Sequence, residues 1–321
     1  MTNPTTLVVG AGGFLGGAVL RSLDAGADAP GAVAARVPWD DQDAAVQALV
    51  DAVRSVRSGP TPWRLLWCAG TGVVATGADV FEQERRLIGR VLDATRGDDS
   101  APGTVFFASS AGAVYAGSDA PPFDEDTEPA PLAPYGHAKL AEEQQFRDWA
   151  EHTGSRLVVG RISNLYGPGA NLRKPQGLVS QLTLAHLEGR PSSIYVPMST
   201  TRDYLYIDDA VAMVLQTLDL VERQGAAADP VTKILASGQP ATIADVIAAV
   251  EEALGADLDV VHGVDPSATF HGLDLRMRSA VLPEVDDRSF VPFRQGVGRT
   301  VQAMRSGRPD AAVHGSPDTQ Q

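Results

Sequence analysis

The sequence predicts an α/β protein, a Rossmann-type doubly wound parallel sheet followed by a smaller C-terminal α/β unit. Three observations carry this. A short apolar, β-branched run at residues 5–9 leads directly into a cluster of glycines. Apolar runs of strand length then alternate with helical patterns as far as residue 165, and such alternation puts parallel strands between two layers of helices. Past Asn164, Gly167, Pro168, Gly169, Pro175 and Gly177 break the rhythm, which marks a second unit. The expected division is residues 1–165, with 200–222 returning to that first unit, and residues 166–305 as the second.

The elements follow in order. Residues 5–9 form the first strand, and 14–23 have apolar residues at helical spacing. A second strand is expected at 32–37, an amphipathic helix at 43–57, and a buried strand at 64–69 closed by Gly70. Residues 81–96 read as a helix and 104–108 as a strand. The segment 116–134 holds five prolines and several acids and reads as a loop. A helix at 135–152 and a strand at 156–161 complete the alternation. Further on come a helix at 178–187, a strand near 194–196, a helix at 207–221, and one at 241–254 whose first turn Thr242 can cap. Residues 281–283 and 290–304 resemble a closing segment. Residues 306–321 are polar without periodicity, the pattern of a disordered tail.

Composition limits the function. The chain has 26 Lys and Arg against 40 Asp and Glu, a net charge of −14. A non-specific nucleic-acid binder needs a basic face, so no nucleic-acid partner is expected, and an anionic ligand requires a locally basic pocket. The single cysteine, Cys68, excludes an intramolecular disulfide and a cysteine-built zinc site. The six histidines lack metal spacing, so no metal is expected. No apolar run approaches the roughly 18 residues that span a bilayer, and the first basic residue is Arg21. The reading is a soluble, cytoplasmic protein with no membrane partner.

Gly10, Gly13 and Gly16 are spaced GxxGxxG between the first strand and the first helix. Glycine supplies the positive φ of a tight turn, and its missing side chain lets a pyrophosphate approach the helix N-terminus. Gly10, Gly13, Phe14, Leu15 and Gly16 are therefore the candidate dinucleotide cradle. An acid at the end of the second strand would bind ribose hydroxyls, whereas an arginine can meet a 2′-phosphate. Arg36 precedes Asp40 and Asp41 here, so NAD and NADP both stay open, with Arg36 tilting towards NADP.

Tyr135 and Lys139 lie four residues apart and share a helical face. A phenol with a pKa of about 10 is a poor catalyst at neutral pH, and a neighbouring ammonium is expected to pull it down. Ser109 and Ser110 end a strand, where ligands of open α/β sheets sit.

Together these segments resemble the extended short-chain dehydrogenase/reductases, in particular the NAD-dependent epimerase/dehydratase family of the UDP-galactose 4-epimerase type. The resemblance spans roughly residues 5–300 and rests on GAGGFLG at 10–16, WCAG at 67–70, SSAGAVYAG at 109–117, YGHAK at 135–139, RISNLYGPG at 161–169 and TRDYLYIDD at 201–209. It implies that Tyr135 is the acid/base, that Lys139 holds the nicotinamide ribose, and that Asp40 touches the adenine. Cys68, Ala69, Gly70 and Ile162 would line the cofactor. Asn164 and Arg202 would meet the diphosphate of a nucleotide sugar; an ion pair of Arg202 with Asp203 or Asp208 is the structural alternative. Tyr166 and Tyr195 suit either stacking on the ligand or core packing, and Tyr195 is the substrate candidate. The acidic loop 121–128 reads as solvated.

Three departures matter. Ala111 stands where many relatives carry a serine or threonine bonded to the reacting oxygen, so Ala111 is expected on the substrate wall, with Ser110 or Ser109 supplying the hydroxyl. Gly112 and Ala113 replace the acid pair of the dehydratases, which argues against a 4,6-dehydratase. The asparagine common in the helix after WCAG is missing from FEQERRLIGRVL. The implied activity is a nucleotide-sugar 4-epimerase working through a transient 4-keto sugar. The alternatives are an NADPH-dependent 4-ketoreductase of deoxysugar assembly and a non-catalytic NAD(P)-binding sensor. Relatives often pair through two helices, here 81–96 and 136–152, which implies a homodimer.

Overall fold

The computed structural model describes residues 4–25, 31–70, 72, 76–97, 101–172, 177–225, 229–264 and 269–307. The first part of the chain runs β1 (Thr5–Val9), α1 (Phe14–Asp24), β2 (Ala32–Ala34), α2 (Gln42–Arg57), β3 (Trp63–Trp67), α3 (Ala78–Thr95), β4 (Thr104–Ser110), the short α4 (Ala111–Val114), α5 (Pro134–Thr153) and β5 (Arg156–Ile162). Then follow β6 (Asn164–Tyr166), α6 (Leu178–Leu187), β7 (Ser192–Ile194), β8 (Thr201–Tyr206), α7 (Ile207–Arg223) and β9 (Val231–Leu235). The chain closes with β10 (Pro240–Thr242), α8 (Ile243–Leu254), β11 (Val260–His262), β12 (Asp274–Leu275), α9 (Pro283–Asp286) and α10 (Phe293–Arg305).

Six strands form one parallel sheet in the order β2-β1-β3-β4-β5-β9. Side chains alternate across it with the period of two that a strand imposes. Leu7, Val9, Leu65, Trp67, Val105 and Phe107 face α2, α3 and α5. Val8, Leu66, Phe106 and Val158 face the opposite way, into a core shared with α1 and α7. The chain leaves β1 for β2 on one side and returns to β3 on the other, so a crevice opens at the carboxyl ends of β1 and β3. Among the described residues no helix is long and apolar enough to cross a membrane.

The second strand is shorter than expected. Its ladder ends where Ala35 N donates to Val8 O, and the chain then turns through Pro38 to Asp41, which caps α2 by accepting from the backbone N–H of Asp43 and Ala44. The sequence pattern does not foreshadow β9, which joins the large sheet, nor β10 and β12, which flank the first half of β8 while β6 pairs with its second half, Tyr204–Tyr206. α8 starts as expected at Thr242, in a full capping box with Asp245. The tail expected over 306–321 lies outside the described residues from 308 onward.

The acidic loop is not a solvated flap. Phe123 is buried against Tyr115 and Met277. Glu125 accepts from Ile234 N at 2.7 Å and Ala280 N at 2.8 Å, and from the Ser279 hydroxyl. Ser279 and Asp286 in turn hold the wholly buried ammonium of Lys233, at 2.5 and 2.6 Å. One polar network thus ties the loop, β9 and the C-terminal segment together, because a buried ammonium is tolerated only with such partners.

Candidate active site

The glycine turn is built for close approach. Gly10 has φ +88°, and a Cβ there would lie 2.5 Å from Ala69 N at the end of β3. A Cβ on Gly16 would lie 2.4 Å from Gly10 O, so α1 packs directly on the turn. Gly13 N donates to Gly10 O, and Gly17 N opens the helical ladder by donating to Gly13 O. No side chain caps α1, which leaves the N–H groups of its first turn facing the crevice. Leu15 is buried and offers its backbone, while space around Gly12 is open to 4 Å. This donor set fits the pyrophosphate of a dinucleotide. Cys68 follows on β3, its N bonded to Val9 O, and burial pushes its thiol up to about 12, so it is an inert wall. Arg36 and Asp40 are both exposed on the segment between β2 and α2.

Pro134 starts α5, as its fixed φ allows, and places Tyr135 and Lys139 beside the end of β4. The Tyr135 hydroxyl is hydrogen-bonded to Ser110, and Phe81 of α3 packs on its ring at 5.6 Å. Lys139 Nζ lies 5.9 Å from the Tyr135 ring centroid and 5.2 Å from that of Phe107. Two carboxylates absent from the sequence reading complete this cluster. Glu142 Oε2 sits 2.8 Å from Lys139 Nζ, both side chains being buried. Glu84 Oε1 and Lys139 Nζ both border Gly70, at 3.4 and 3.7 Å from where its Cβ would stand.

Burial, with these acids added to it, reverses the expected shift of Tyr135. Burial raises the phenol most, Lys139 and Ser110 lower it, and Glu142 and Glu84 raise it again; the net direction is upward. Burial works against the Lys139 ammonium, yet Glu142, Tyr135 and Glu84 carry it upward. Burial also raises Glu142, against the pull of Lys139.

The serine pair divides. Ser110 faces Tyr135 and caps α4, whereas Ser109 turns inward to Glu143. Glu143 is gripped by both Arg161 Nε and Nη2, at 3.1 and 2.8 Å, and Arg161 Nη1 donates to Tyr115 OH at 2.7 Å. Ser109, the other serine expected beside Tyr135, is therefore part of a buried network with Glu143 and Arg161. Ala111, expected on the substrate wall, has no exposed surface and packs with Val114, Tyr115 and Leu275. Ile162 pairs in register with Ser110 and borders the site.

Arg202 on β8 is 8% exposed, and burial lowers its pKa against the pull of Tyr204 and Asp274. Its guanidinium donates to Thr201 O at 2.9 Å. The alternative ion pairs do not form: Asp203 is occupied by Ser163 and Ser237, and no ion pair reaches Arg202 among the described residues. A buried guanidinium with spare donors is a fork for an anion. Asn164 Nδ2 donates to Asp203 O, which ties β6 to β8 close to Arg202. Tyr166 is a core residue, in edge or tilted contact with Tyr204, Tyr206 and Phe293. Tyr195 is 44% exposed beyond β7 and lies over Gly263.

Glu142 could have been found from sequence, since it lies one helical turn after Lys139 and three-residue spacing brings such side chains together. Glu84 could not, because its approach to Lys139 depends on α3 packing against α5.

Comparison with known proteins agrees with this geometry. The model of the NAD dependent epimerase/dehydratase family matches residues 68–228. The dTDP-4-dehydro-6-deoxyglucose reductase of Escherichia coli is 28% identical over 202 residues, which is 63% of this chain and 61% of the reductase. The dTDP-L-rhamnose 4-epimerase of Burkholderia thailandensis is 31% identical over 138 residues, 43% of this chain and 37% of that protein. In both cases the match spans less than two thirds of the relative's length. The structure of the Thermus thermophilus UDP-glucose 4-epimerase in complex with NAD superposes with a TM-score of 0.76 at 22% identity, covering 95% of this chain and 100% of that one. That likeness supports the Rossmann-type sheet.

Proposed function

The chain belongs to the NAD dependent epimerase/dehydratase family, and from that membership we propose that it binds NAD or NADP and interconverts a hydroxyl and a ketone on a nucleotide sugar. The observation that carries the reading is the Tyr135 hydroxyl, bonded to Ser110 and backed by Lys139, at the crevice end of the sheet. Gly10, Gly13, Phe14, Leu15 and Gly16 hold the cofactor's pyrophosphate, Asp40 or Arg36 its adenosine end, and Lys139 its nicotinamide ribose, with Ala69, Gly70 and Ile162 alongside. The nicotinamide supplies hydride exchange at a sugar carbon. Tyr135 takes the hydroxyl proton or gives it to the ketone oxygen, and Ser110 orients it. Arg202 pairs with the diphosphate, near Asn164, and Tyr195 stands ready for the outer part of the ligand. Residues 1–165 are the cofactor-binding part and 166–305 the substrate-binding part.

The finer reading is a 4-epimerase, in which the 4-keto sugar turns over in the site and is reduced on its other face. A single-direction 4-ketoreductase is the second reading. Burial of the phenol, helped by the carboxylates around Lys139, favours it, because both act to keep Tyr135 in the form that gives a proton. Mass spectrometry of the nucleotide released on denaturation separates the two. Retained NAD with inversion of UDP- or dTDP-hexoses at C4 supports the epimerase. An empty site with tighter binding of NADPH than of NADH supports the reductase. A protein that binds neither dinucleotide ends both readings.

The outward faces of α3 and α5 carry Glu82, Arg85, Arg86, Gln144 and Asp148, and neither helix holds a large exposed apolar side chain. We propose that homodimer contact through them is polar, so that raising the salt dissociates it in sedimentation experiments.

A further inference from the structure

Among the described residues, Lys139 is the only cation that faces Tyr135. From α5 come Lys139 and Glu142; from α3 comes Glu84; from the end of β4 comes the neutral hydroxyl of Ser110. Glu143 also faces Glu142, but its charge is met by Arg161. Glu142 is 1% exposed, its Oε2 is held 2.8 Å from Lys139 Nζ, and its Oε1 has no hydrogen-bond partner among the described residues. Such an orphaned carboxylate oxygen is costly unless the group can share a proton. Glu84 Oε1 approaches the same ammonium across Gly70.

We propose that Glu84 and Glu142 are positioning residues for the Tyr135–Lys139 pair: two carboxylates around one ammonium leave the phenol facing excess negative charge, so it holds its proton. The inference rests on Tyr135 being the acid/base. Its consequence is directional. The site gives a proton to a ketone oxygen across the neutral range, and it removes one from a hydroxyl only in alkaline solution. Both steps use the same phenol, so the carboxylates set the pH limb of each rate and leave the equilibrium between the two directions unchanged. The upward direction for Tyr135 is in keeping with this.

The test is an ultraviolet difference titration of the protein without added cofactor, following the tyrosinate band. Subtracting the Tyr135→Phe curve isolates the ionisation of Tyr135. In Glu84→Gln and in Glu142→Gln its midpoint is expected to fall by about one unit, the size of a nearby unit charge at close range. The pH limb of turnover should move by the same amount. An unmoved midpoint in both variants, with the melting temperature kept, overturns the inference. Should Glu142→Gln fail to fold, the half-buried Glu84→Gln carries the test by itself. NADH and NADPH binding is measured in parallel by fluorescence. Failure of the wild type to bind either overturns the proposed function, while the titration still decides whether the carboxylates hold the proton.

Discussion

Ser109 Oγ donates a 2.6 Å hydrogen bond to Glu143 Oε1. That bond separates two adjacent serines with the same chemistry. Ser109→Ala should lower stability by about 1.5–3 kcal/mol, the range for losing a bond to a charged group, and leave the pH dependence of turnover unchanged. Ser110→Ala should lose only the long 3.4 Å cap of α4, a smaller stability loss than Ser109→Ala, and cut turnover. Thermal unfolding and steady-state rates on both variants check this; a stability loss confined to Ser110→Ala would reverse the assignment.

Tyr135→Phe removes the hydroxyl that the proposed function assigns to proton exchange with the sugar. Turnover should fall by about 10²–10⁴-fold, the usual span for losing a general acid/base. Dinucleotide binding should persist, because the glycine turn is untouched. Retained turnover would move the acid/base role elsewhere.

Two glycines of the same turn should respond in opposite ways. Gly10→Ala forces a side chain into φ +88° and against Ala69 N, and should cost more than about 2 kcal/mol from strain and overlap. Gly12→Ala meets nothing within 4 Å and should fold normally while losing dinucleotide affinity. Chemical denaturation and NADH fluorescence give the two readouts.

Arg202→Met keeps the packing of the buried stem and removes the anion fork. The KM for a nucleotide sugar should rise roughly tenfold or more, since a charge-assisted bond is worth about 1.5–3 kcal/mol. NAD(P)H affinity should stay the same. An unchanged KM would leave Arg202 a structural residue.

The capping box of α8 predicts a pH signature. Bonds from Thr242 hold the Asp245 carboxyl below its usual value, so its contribution to stability is present above that usual value and fades as the pH falls through the lowered one. Thr242→Ala should cost about 1 kcal/mol at neutral pH and less in acid, as equilibrium unfolding at the two pH values will show.

The first half of the fold is legible, α4 and the end of β2 apart, because its elements carry their own signals. Residues 5–9 are β-branched, the turn that follows is glycine, and Pro134 announces α5. Apart from β7, near the strand expected at 194–196, the strands after Asn164 carry no such signal. β12 has two residues and β10 three, and each is a strand only because β8 lies beside it. The site divides in the same way. Tyr135 and Lys139 are marked by spacing, but the inward turn of Ser109 is set by Arg161 through Glu143, and the burial of Ala111 by Leu275 and Met277. Those partners are distant in sequence, and no local pattern encodes their approach.

The network around Lys233 has a consequence for synthesis. Its carboxylate, Asp286, is added 53 residues later, several seconds at ordinary translation rates. Throughout that interval β9 cannot settle at the sheet edge without burying an unmatched charge. The strand must wait for the C-terminal segment, and so must the loop held by Glu125. Until Asp286 has been made the sheet is one strand short beside β5, and such an open edge invites wrong pairing.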